Sequence, residues 1–520
     1  MKLLKTMSLC LLMALFSCKS EPKKAEEPKS ENTKPNIVVI YLDDLGYGDV
    51  SSYNATAFST PNIDKLANEG VKFTRGYATS ATCTPSRFAI LTGTYPWKNK
   101  EAKILPGTAP LIIDTMMMTL PKALKANGYQ TAIVGKWHLG LGLGDVNWNE
   151  PVKPGPNEVG FDYSYIMAAT QDRVPTVYLK NGLVENLDPN DPISISYEKN
   201  FEGEPTGTNN PELLNMVGDP QHSNTVVNGV PRIGFMKGGK AARWSDVDMA
   251  DHFLVTAQNY ITQQRDKSKP FFLYYAMQQP HVPRIPHPRF VGKSGLGPRG
   301  DVILEADWAV GELIKTLEKE GLLENTLIVF SSDNGPVLDD GYVDQAIELL
   351  GNHKPSAGLR GGKYSLFDAG TRVPFITYWK GTIKPAVSDA LVSQLDLLAS
   401  LSALSGNETT SPDSQNVLDA FLGTSKTGRE DLIIEATSRT AYLKGDWVLI
   451  PPYVGPKFLP TKGIETGTSD KIQLYHLKED PFQTKNVAAS NPEKLAEMVK
   501  EFEAKRGSEY GTIEQIKFEF

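Results

Sequence analysis

Two pairs of oxygen-bearing side chains directly follow segments that have the composition of buried strands. Asp43 and Asp44 follow the apolar segment 36–42, and Asp333 and Asn334 follow a second such segment. The carboxyl ends of parallel strands meet at one edge of a sheet, where ligands bind. Each pair alone is more typical of a helix cap or an Asx-turn. The two together favour a site for a hard divalent cation, Ca²⁺ or Mg²⁺, whereas no His/Cys spacing typical of zinc is present.

Basic side chains occupy equivalent positions after other predicted strands. Two of the seven histidines immediately follow such strands, although a histidine there is commonly only a surface residue. As a set, the basic residues predict a cationic pocket that faces the metal and suits a tetrahedral oxyanion, sulfate or phosphate. The set comprises Arg87, Lys136, His138, His281 and Lys363.

Cysteine usage excludes a disulfide framework. Of the three cysteines, Cys10 and Cys18 lie in the N-terminal segment, and Cys83 alone belongs to the predicted folded body. A lone thiol in an exported protein is either buried and inert or chemically special. Cys83 precedes Pro85 and Arg87 at the start of a predicted helix, where backbone N–H groups favour negative charge, so its context favours the second reading.

The N-terminus has the pattern of an export signal. Residues 1–17 combine a basic start, an apolar stretch and a small residue just before Cys18, which is similar to the acylated first residue of bacterial lipoproteins. A plain signal peptide followed by an incidental cysteine is the alternative. Residues 18–34 predict a flexible tether. We therefore expect an exported protein, held by a lipid anchor in the periplasm or at the outer-membrane or cell surface.

Strands alternate with helices through the body of the chain. This pattern predicts an α/β fold for residues 35–415, with a large, mostly parallel sheet sandwiched by helices. The stretch 141–243 is rich in Gly, Pro, Asn and Asp and is expected to form long functional loops. Residues 416–520 predict a smaller C-terminal α+β subdomain with a short antiparallel sheet. The strands predicted in the body are Asn36–Leu42, Thr131–Val134, Phe271–Ala276, Thr326–Ser331 and Val373–Trp379.

Composition excludes one class of partner. The formal net charge is -7 over 520 residues, whereas a dedicated nucleic-acid binder needs a basic face. Hydrophobic residues make up 40% of the chain, which is enough for a large buried core. No nucleic-acid partner is expected.

These motifs together resemble the formylglycine-dependent (type I) sulfatases of the alkaline phosphatase superfamily. A single Cys-x-Pro-x-Arg is a weak signal, but six motifs in the same order over residues 35–488 are specific. The resemblance implies an alkaline phosphatase-like fold and a sulfuric ester hydrolase. The motifs are Asp43-Asp44, Cys83-Thr84-Pro85-Ser86-Arg87 with Leu91-Thr92-Gly93, Gly135-Lys136-Trp137-His138, Pro280-His281, Asp333-Asn334-Gly335 and Leu359-Arg360-Gly361-Gly362-Lys363.

The resemblance implies a modified residue and a metal ion. Cys83 would be converted to Cα-formylglycine (3-oxoalanine) by a formylglycine-generating or sulfatase-maturating enzyme, and its hydrated aldehyde would be the nucleophile. A serine in its place would accept sulfate and then stall, because it has no second hydroxyl. The implied metal is Ca²⁺ in preference to Mg²⁺, with ligands from Asp43, Asp44, Asp333, Asn334 and an oxygen of residue 83.

The resemblance also implies roles for the basic residues. Arg87 and Lys136 would stabilise the diol and the sulfate, and His138 would bond the second hydroxyl. His281 and Lys363 would contact the bridging oxygen, and one of the two would protonate the departing alcohol. Lys136, His281 and Lys363 are therefore expected to bind substrate as well.

Export and a long loop-rich insert suggest a large polar substrate. We expect a sulfated carbohydrate, namely oligosaccharides of an algal polysaccharide that is ulvan- or carrageenan-like. Asp172, Arg173, Arg284 and His353 are candidates to line the sugar subsites. Local ion pairs on surface loops explain the same four residues equally well.

Two other functions fit parts of the pattern. A phosphomonoesterase or phosphodiesterase on the same scaffold would use the same metal and cations, but it normally has a Ser or Thr nucleophile. A non-catalytic glycan-binding surface lipoprotein would leave Cys83 unconverted and would not need His138, His281 and Lys363 as proton-transfer groups. Both alternatives are therefore less consistent with the sequence than a sulfatase.

Overall fold

A ten-stranded mixed sheet organises the molecule. The computed structural model describes residues 34–54, 57–264 and 269–509. The strands in these residues are β1 (Asn36–Leu42), β2 (Val71–Phe73), β3 (Gly76–Tyr77), β4 (Gln130–Lys136), β5 (Tyr163–Met167), β6 (Tyr178–Lys180), β7 (Leu183–Val184), β8 (Ser194–Ser196), β9 (Val226–Val227), β10 (Val230–Pro231), β11 (Phe235–Lys237), β12 (Phe271–Ala276), β13 (Thr326–Ser332), β14 (Phe375–Tyr378), β15 (Ala386–Ser388), β16 (Val392–Ser393), β17 (Asp431–Ala436), β18 (Arg439–Lys444), β19 (Trp447–Ile450), β20 (Phe458–Leu459), β21 (Ile464–Glu465) and β22 (Gln473–His476).

Helices cover both faces of this sheet. The helices in the described residues are α1 (Pro61–Glu69), α2 (Cys83–Thr92), α3 (Leu120–Ala126), α4 (Pro156–Val159), α5 (Met249–Gln263), α6 (Gly297–Lys319), α7 (Leu397–Leu404), α8 (Leu418–Phe421) and α9 (Pro492–Arg506). Apolar side chains of α1, α5 and α6 form one buried cluster with the sheet, and those of α2, α3 and α7 form a second cluster.

The centre of the sheet is parallel, and its flanks are antiparallel. The strand order is β15-β2-β14-β13-β1-β12-β4-β5-β6-β7, and the five strands from β13 to β5 run parallel to one another. Every residue of β1 is buried, as expected for a strand covered on both faces. The predicted α/β fold with a large, mostly parallel sheet is therefore confirmed. The predicted strand 373–379 is present as β14, which pairs antiparallel with β13.

The loop-rich stretch 141–243 also contributes to the sheet. It contains β5, which pairs parallel with β4, and then β6 and β7, which continue the sheet in antiparallel fashion. The prediction of long loops missed these strands. The remainder forms two small two-stranded sheets, β8 with β11 and β9 with β10. These small sheets place polar loops close to the carboxyl edge of the main sheet.

The C-terminal part contains the predicted antiparallel sheet. Strands β17, β18, β19 and β22 are adjacent in that order, and α9 packs on them. Val417 and Phe421, which precede this sheet, pack in the cluster with α2 and α7. Glu435 of β17 exchanges backbone hydrogen bonds with Thr79 and Ala81, at 3.0 and 2.8 Å. The C-terminal sheet therefore supports the segment that leads into Cys83.

The predicted signal segment 1–17, Cys18 and nearly all of the tether 18–34 lie outside the described residues. Among the helices that are described, none combines the length and the apolar character that crossing a bilayer would require.

Candidate active site

Neighbouring parallel strands bring the predicted residues to one edge of the sheet. Strands β13, β1, β12 and β4 are adjacent in that order. Leu42 and Ser332, the last residues of β1 and β13, are paired, which puts the two acidic pairs side by side. The chain continues from β12 towards His281 and from β4 towards His138. Helix α2 completes the arrangement, because Sγ of Cys83 lies 3.5 Å from Oδ1 of Asp43.

Three carboxylates and one thiol form a compact buried cluster. The potential ligand atoms of Asp43, Asp44, Cys83 and Asp333 all lie within 4.8 Å of one another. Nδ2 of Asn334 donates to Oδ1 of Asp44 at 2.7 Å. Oδ1 of Asn334 is buried and has no hydrogen-bond partner among the described residues. An amide oxygen left unpartnered beside three carboxylates is the donor set that a hard divalent cation prefers, so the residues fit such an ion.

Each carboxylate of the cluster also contacts a basic side chain from a different element. Burial and the neighbouring Asp333 raise the pKa of Asp43 to about 8 in spite of Lys136. Burial also favours the neutral form of Asp333, but Arg87 and Lys136 outweigh it and lower its pKa. A bound cation would add positive charge to this cluster and favour the ionised form of Asp43. The pairs are Lys136 with Asp43, Lys363 with Asp44 at 2.9 Å, and Arg87 with Asp333 at 2.8 Å.

Cys83 is the first residue of α2, and its side chain is buried at the inner end of the cavity described below. Burial and the charge of Asp43 raise the pKa of its thiol well above the ordinary value. The surrounding side chains therefore favour the neutral thiol, which is a weak nucleophile. Unmodified Cys83 is thus poorly suited to attack a substrate.

His138 presents an unprotonated nitrogen to the site. Nε2 lies 3.0 Å from the carbonyl oxygen of Leu105, and since a carbonyl only accepts, Nε2 carries the hydrogen. Nδ1 is buried and has no hydrogen-bond partner in the part of the chain that the structure describes. Burial and Lys136 hold the pKa of His138 well below its usual value. The backbone φ of 55° is rare for a residue with a side chain, and such strain is concentrated at functional sites.

His281 and Lys363 differ in their ability to donate a proton. Nδ1 of His281 lies 2.7 Å from the carbonyl oxygen of Val282, so Nδ1 carries the hydrogen and Nε2, 3.9 Å from Asp44, can only accept. Nζ of Lys363 donates to Asp44 at 2.9 Å and to Asp340 at 2.8 Å. These two carboxylates outweigh burial and raise the pKa of Lys363 well above its usual value. Lys363 is therefore the protonated member of the pair.

A cavity of about 460 Å³ opens directly above this cluster. Asp172 and Arg173 line it and form an ion pair at 2.8 Å. Both residues lie in the loop-rich stretch. The structure thus brings six predicted polar side chains to one cavity: Cys83, His138, Asp172, Arg173, His281 and Lys363.

The same cavity is lined by residues that the sequence did not single out. His222 donates to Asp219 at 2.7 Å and lies 3.4 Å from Asp172. Asp340 binds Lys363 and also lies 3.2 Å from Nζ of Lys462, which comes from the C-terminal part. A rare histidine in a loop-rich insert was a usable signal for His222. Neither Asp340 nor Lys462 directly follows a strand of the main sheet, and so neither gave a signal.

Arg284 and His353 do not line this cavity. Arg284 is buried and pairs with Asp344 at 2.8 Å. Nε2 of His353 donates to Oδ1 of Asp49 at 2.8 Å, and Arg299 binds the same carboxylate. Both side chains are therefore held in buried ion pairs that support the loops after β1 and β13, away from the sugar subsites expected for them.

The geometry defines a class of enzyme. A cation-lined cavity above a buried acidic cluster, at the carboxyl edge of an α/β sheet, suits hydrolysis of esters of a tetrahedral oxyanion. The sulfatase family profile matches residues 35–407, most of the chain. The chain belongs to the sulfatase family, which confirms the resemblance seen in the sequence.

Individual relatives agree with this assignment. Over 482 residues the chain is 49% identical to an N-acetylgalactosamine-6-O-sulfatase of Bacteroides thetaiotaomicron, covering 92% of this chain and 94% of that one. It is 33% identical to arylsulfatase A of Bos taurus over 76% of this chain and 70% of the other. A solved structure from work on glycosaminoglycan metabolism by Bacteroides thetaiotaomicron superimposes with a TM-score of 0.89 at 49% identity, covering 91% and 99% of the two chains. The protein is an enzyme that hydrolyses sulfate esters, as predicted.

A substitution at His353 distinguishes support of the fold from substrate binding. His353→Ala removes a buried donor to Asp49, so we expect the free energy of unfolding to fall by about 1–3 kcal/mol. The KM for an aryl sulfate should stay the same, because His353 does not reach the cavity. Chemical denaturation and steady-state kinetics measure both quantities. His287→Ala, at a partly exposed histidine, is the control and should change stability by no more than about 0.5 kcal/mol. A raised KM with unchanged stability would contradict the assignment.

Proposed function

We propose that this sulfatase removes 6-O-sulfate groups from N-acetylgalactosamine units of sulfated glycan oligosaccharides of the glycosaminoglycan class. The proposal rests on the 49% identity, over nearly the full length, with the N-acetylgalactosamine-6-O-sulfatase of Bacteroides thetaiotaomicron. The cavity of about 460 Å³ has the size and the convergent polar groups of a small-ligand site. The algal oligosaccharides expected from the sequence are compared with this substrate in the first test described below.

The modified residue is proposed at Cys83. A formylglycine there would supply a hydrated carbonyl oxygen as the nucleophile towards sulfur. The enclosed position at the start of α2 and the raised pKa of the thiol support conversion, since the unmodified residue is a weak nucleophile at this position. The partner needed is a formylglycine-generating or sulfatase-maturating enzyme that acts before the chain folds, because Cys83 is buried in the folded protein.

The metal is proposed as Ca²⁺. Asp43, Asp44, Asp333 and Asn334, with an oxygen of residue 83, would hold it. When bound, the ion would neutralise the carboxylate cluster and polarise sulfate oxygens. The all-oxygen donor set favours Ca²⁺ or Mg²⁺ over a soft metal, and Ca²⁺ tolerates the irregular arrangement of such ligands better.

Proton movement at residue 83 is assigned to His138. Its Nδ1 is unprotonated and buried, and its pKa is held low, so it is ready to accept a proton from a neighbouring hydroxyl. The hydrogen bond from Nε2 to Leu105 fixes the tautomer and orients the ring. Lys136 and Arg87 are fully buried and do not line the cavity, so we propose that their positive charges stabilise the diol and the sulfate while they bind Asp43 and Asp333.

Proton donation to the departing sugar oxygen is assigned to Lys363. An ammonium has three N–H groups, and two of them bind Asp44 and Asp340, which leaves one for the substrate. The N–H of His281 is directed to Val282, so its Nε2 would orient the substrate as an acceptor. Asp172 and Arg173 are proposed to bind sugar hydroxyls, since they line the same cavity.

Location is proposed from the N-terminal sequence. A lipid on Cys18 and a tether of residues 18–34 would hold the catalytic body at a membrane surface outside the cytoplasm. Oligosaccharide substrates are accessible at such a location.

The first test examines the nucleophile and the substrate in one experiment. We expect the wild-type enzyme, produced with a maturating enzyme, to release sulfate from N-acetylgalactosamine 6-sulfate faster than from ulvan or carrageenan oligosaccharides. Mass spectrometry of the peptide that contains Cys83 should show the formylglycine form. Cys83→Ser and Cys83→Ala should lose essentially all turnover, whereas Ser490→Ala, at an exposed serine just before α9, should keep it. Full activity of material whose Cys83 is an unmodified thiol would refute the proposal.

The second test concerns the metal. Prolonged chelation should abolish activity and lower the unfolding temperature. The reason is that an ion present at a free concentration of about 100 times its Kd raises the free energy of unfolding by about 2.7 kcal/mol. Adding Ca²⁺ should restore both. Asn334→Ala should raise the Ca²⁺ concentration needed for this thermal shift, whereas Asn190→Ala, at an exposed asparagine, should not. If chelated enzyme keeps its unfolding temperature and its activity, no ion is bound at these residues.

The third test separates the two candidates for proton donation. Lys363→Ala should lower kcat on a sugar sulfate by about 10²- to 10⁴-fold, the usual contribution of a general acid. The loss should be much smaller on 4-nitrophenyl sulfate, because its leaving group needs no proton. His281→Ala, which removes an acceptor and not the acid, should affect both substrates equally. An equal loss on both substrates for Lys363→Ala would show that Lys363 binds sulfate without donating the proton.

A further inference from the structure

The catalytic cavity contains a buried carboxylate that the proposed mechanism does not use. Among the described residues that line the cavity, two side chains carry a buried polar atom with no hydrogen-bond partner: Nδ1 of His138 and Oε2 of Glu435. The first is assigned to proton transfer at residue 83, whereas the second has no role so far. Burying a polar atom without a partner costs free energy. A ligand that donates a hydrogen bond to Oε2 of Glu435 would remove this cost.

The backbone holds Glu435 in a fixed position. Its N–H donates to the carbonyl oxygen of Thr79 at 3.0 Å, and its own carbonyl oxygen accepts from the N–H of Ala81 at 2.8 Å. Oε1 of the side chain accepts from the backbone N–H of Ser438 at 2.9 Å. Oε2 is therefore the acceptor that remains. Cys83 follows the paired segment and lines the same cavity, so Glu435 belongs to the wall on the side of the nucleophile.

The ionised form of Glu435 is available near neutral pH. Burial raises the pKa of its carboxyl to about 7, while the N–H of Ser438 and the charge of Arg506 act in the opposite direction. A hydrogen bond donated to the carboxylate stabilises the charged form further. A neutral N–H or O–H group of a substrate is therefore a suitable partner.

The polar groups of the cavity match different groups of a sugar. Asp172 and Arg173, 2.8 Å apart, offer an acceptor and a donor side by side, which suits a hydroxyl, because a hydroxyl both accepts and donates. A carboxylate oxygen such as Oε2 of Glu435 only accepts. Its complement is a group that only donates. On a sulfated N-acetylhexosamine, the amide N–H is such a group.

We propose that Glu435 is a specificity-determining residue, whose Oε2 accepts a hydrogen bond from the acetamido N–H of the sulfated hexosamine. The proposal rests on the proposed function, because it concerns the same sulfated sugar. A site built around such a bond rejects an analogue that lacks the donor, since the carboxylate oxygen then stays buried and unpaired. Glu435 thus selects the N-acetylated sugar.

Two substrates of nearly the same shape test the assignment. One is N-acetylgalactosamine 6-sulfate, and the other is 2-O-acetylgalactose 6-sulfate, which keeps the acetyl group but has an ester oxygen in place of the N–H. For the wild type, we expect kcat/KM for the amide to exceed that for the ester by about 10- to 100-fold, the range for a hydrogen bond to a charged group. A structural role of Glu435 would affect both substrates alike.

The isosteric variant Glu435→Gln should reduce this ratio to about threefold or less. With Oε1 still bound to Ser438, the variant places an NH₂ group where Oε2 stood, and a donor cannot bind a donor. Glu435→Ala, which removes both oxygens, should give the same reduced ratio, and thermal unfolding checks that each variant is folded. Glu430→Gln, at an exposed glutamate just before β17, is the control and should retain the wild-type ratio.

The outcomes separate this assignment from the proposed function. If the wild type hydrolyses the amide and the ester equally well, Glu435 does not bind the N–H. If the two Glu435 variants lower both rates and keep the ratio, the residue only supports the segment before Cys83, and its role in specificity is refuted. If the wild type releases sulfate from neither sugar, the proposed function fails, and the assignment of Glu435 with it.

Discussion

The burial of charge at the carboxyl edge of the sheet is the constraint on which the rest of the structure depends. Asp43, Asp44 and Asp333 are withdrawn from water, and a buried carboxylate costs several kcal/mol unless it is paired. Their basic partners come from β4, from α2 and from the loop before β14, none of which is adjacent in sequence. Removing any partner would leave a buried charge uncompensated. The register of β1 with β13 and the packing of α2 therefore determine whether each carboxylate meets its basic partner.

Much of this arrangement could be predicted because its parts obey local rules. Buried parallel strands are continuous apolar runs, so β1, β12 and β13 are visible in the sequence, and the polar residues that follow them lie at a shared edge by topology alone. Strand β5 escaped prediction because Tyr163–Met167 lies in a polar, loop-rich stretch and is defined by its pairing with β4. A strand whose stability comes from its neighbours leaves little trace in its own composition.

Cavity residues that do not directly follow a strand of the main sheet were missed for a different reason. Lys462 reaches the cavity from the turn between β20 and β21, and only the packing of the C-terminal part determines that position. The opposite error arose for Arg284 and His353, since a sequence does not distinguish a cation that binds substrate from one that binds a buried carboxylate. His353 binds Asp49 and Arg284 binds Asp344, so both basic residues belong to the second kind. Each carboxylate is remote in sequence from its partner, and the sequence therefore does not reveal the pairing. The C-terminal part thus acts twice: β17 supports the segment before Cys83, and the turn that contains Lys462 supplies a wall of the cavity.

The state of the Cys83 thiol follows from the same charge balance. A start-of-helix position ordinarily lowers the pKa of a cysteine, yet here burial and Asp43 raise it. The basic groups that could reverse this effect, Lys136 and Lys363, already bind carboxylates. These basic side chains are thus paired with carboxylates and do not offset the effect of burial on the thiol. A hydrated aldehyde would avoid the conflict, because it carries neutral hydroxyl groups and can pass a proton to the unprotonated Nδ1 of His138 only as the reaction proceeds. The pairing that stabilises the acidic cluster therefore leaves the neutral thiol favoured at Cys83, and a neutral thiol is a weak nucleophile.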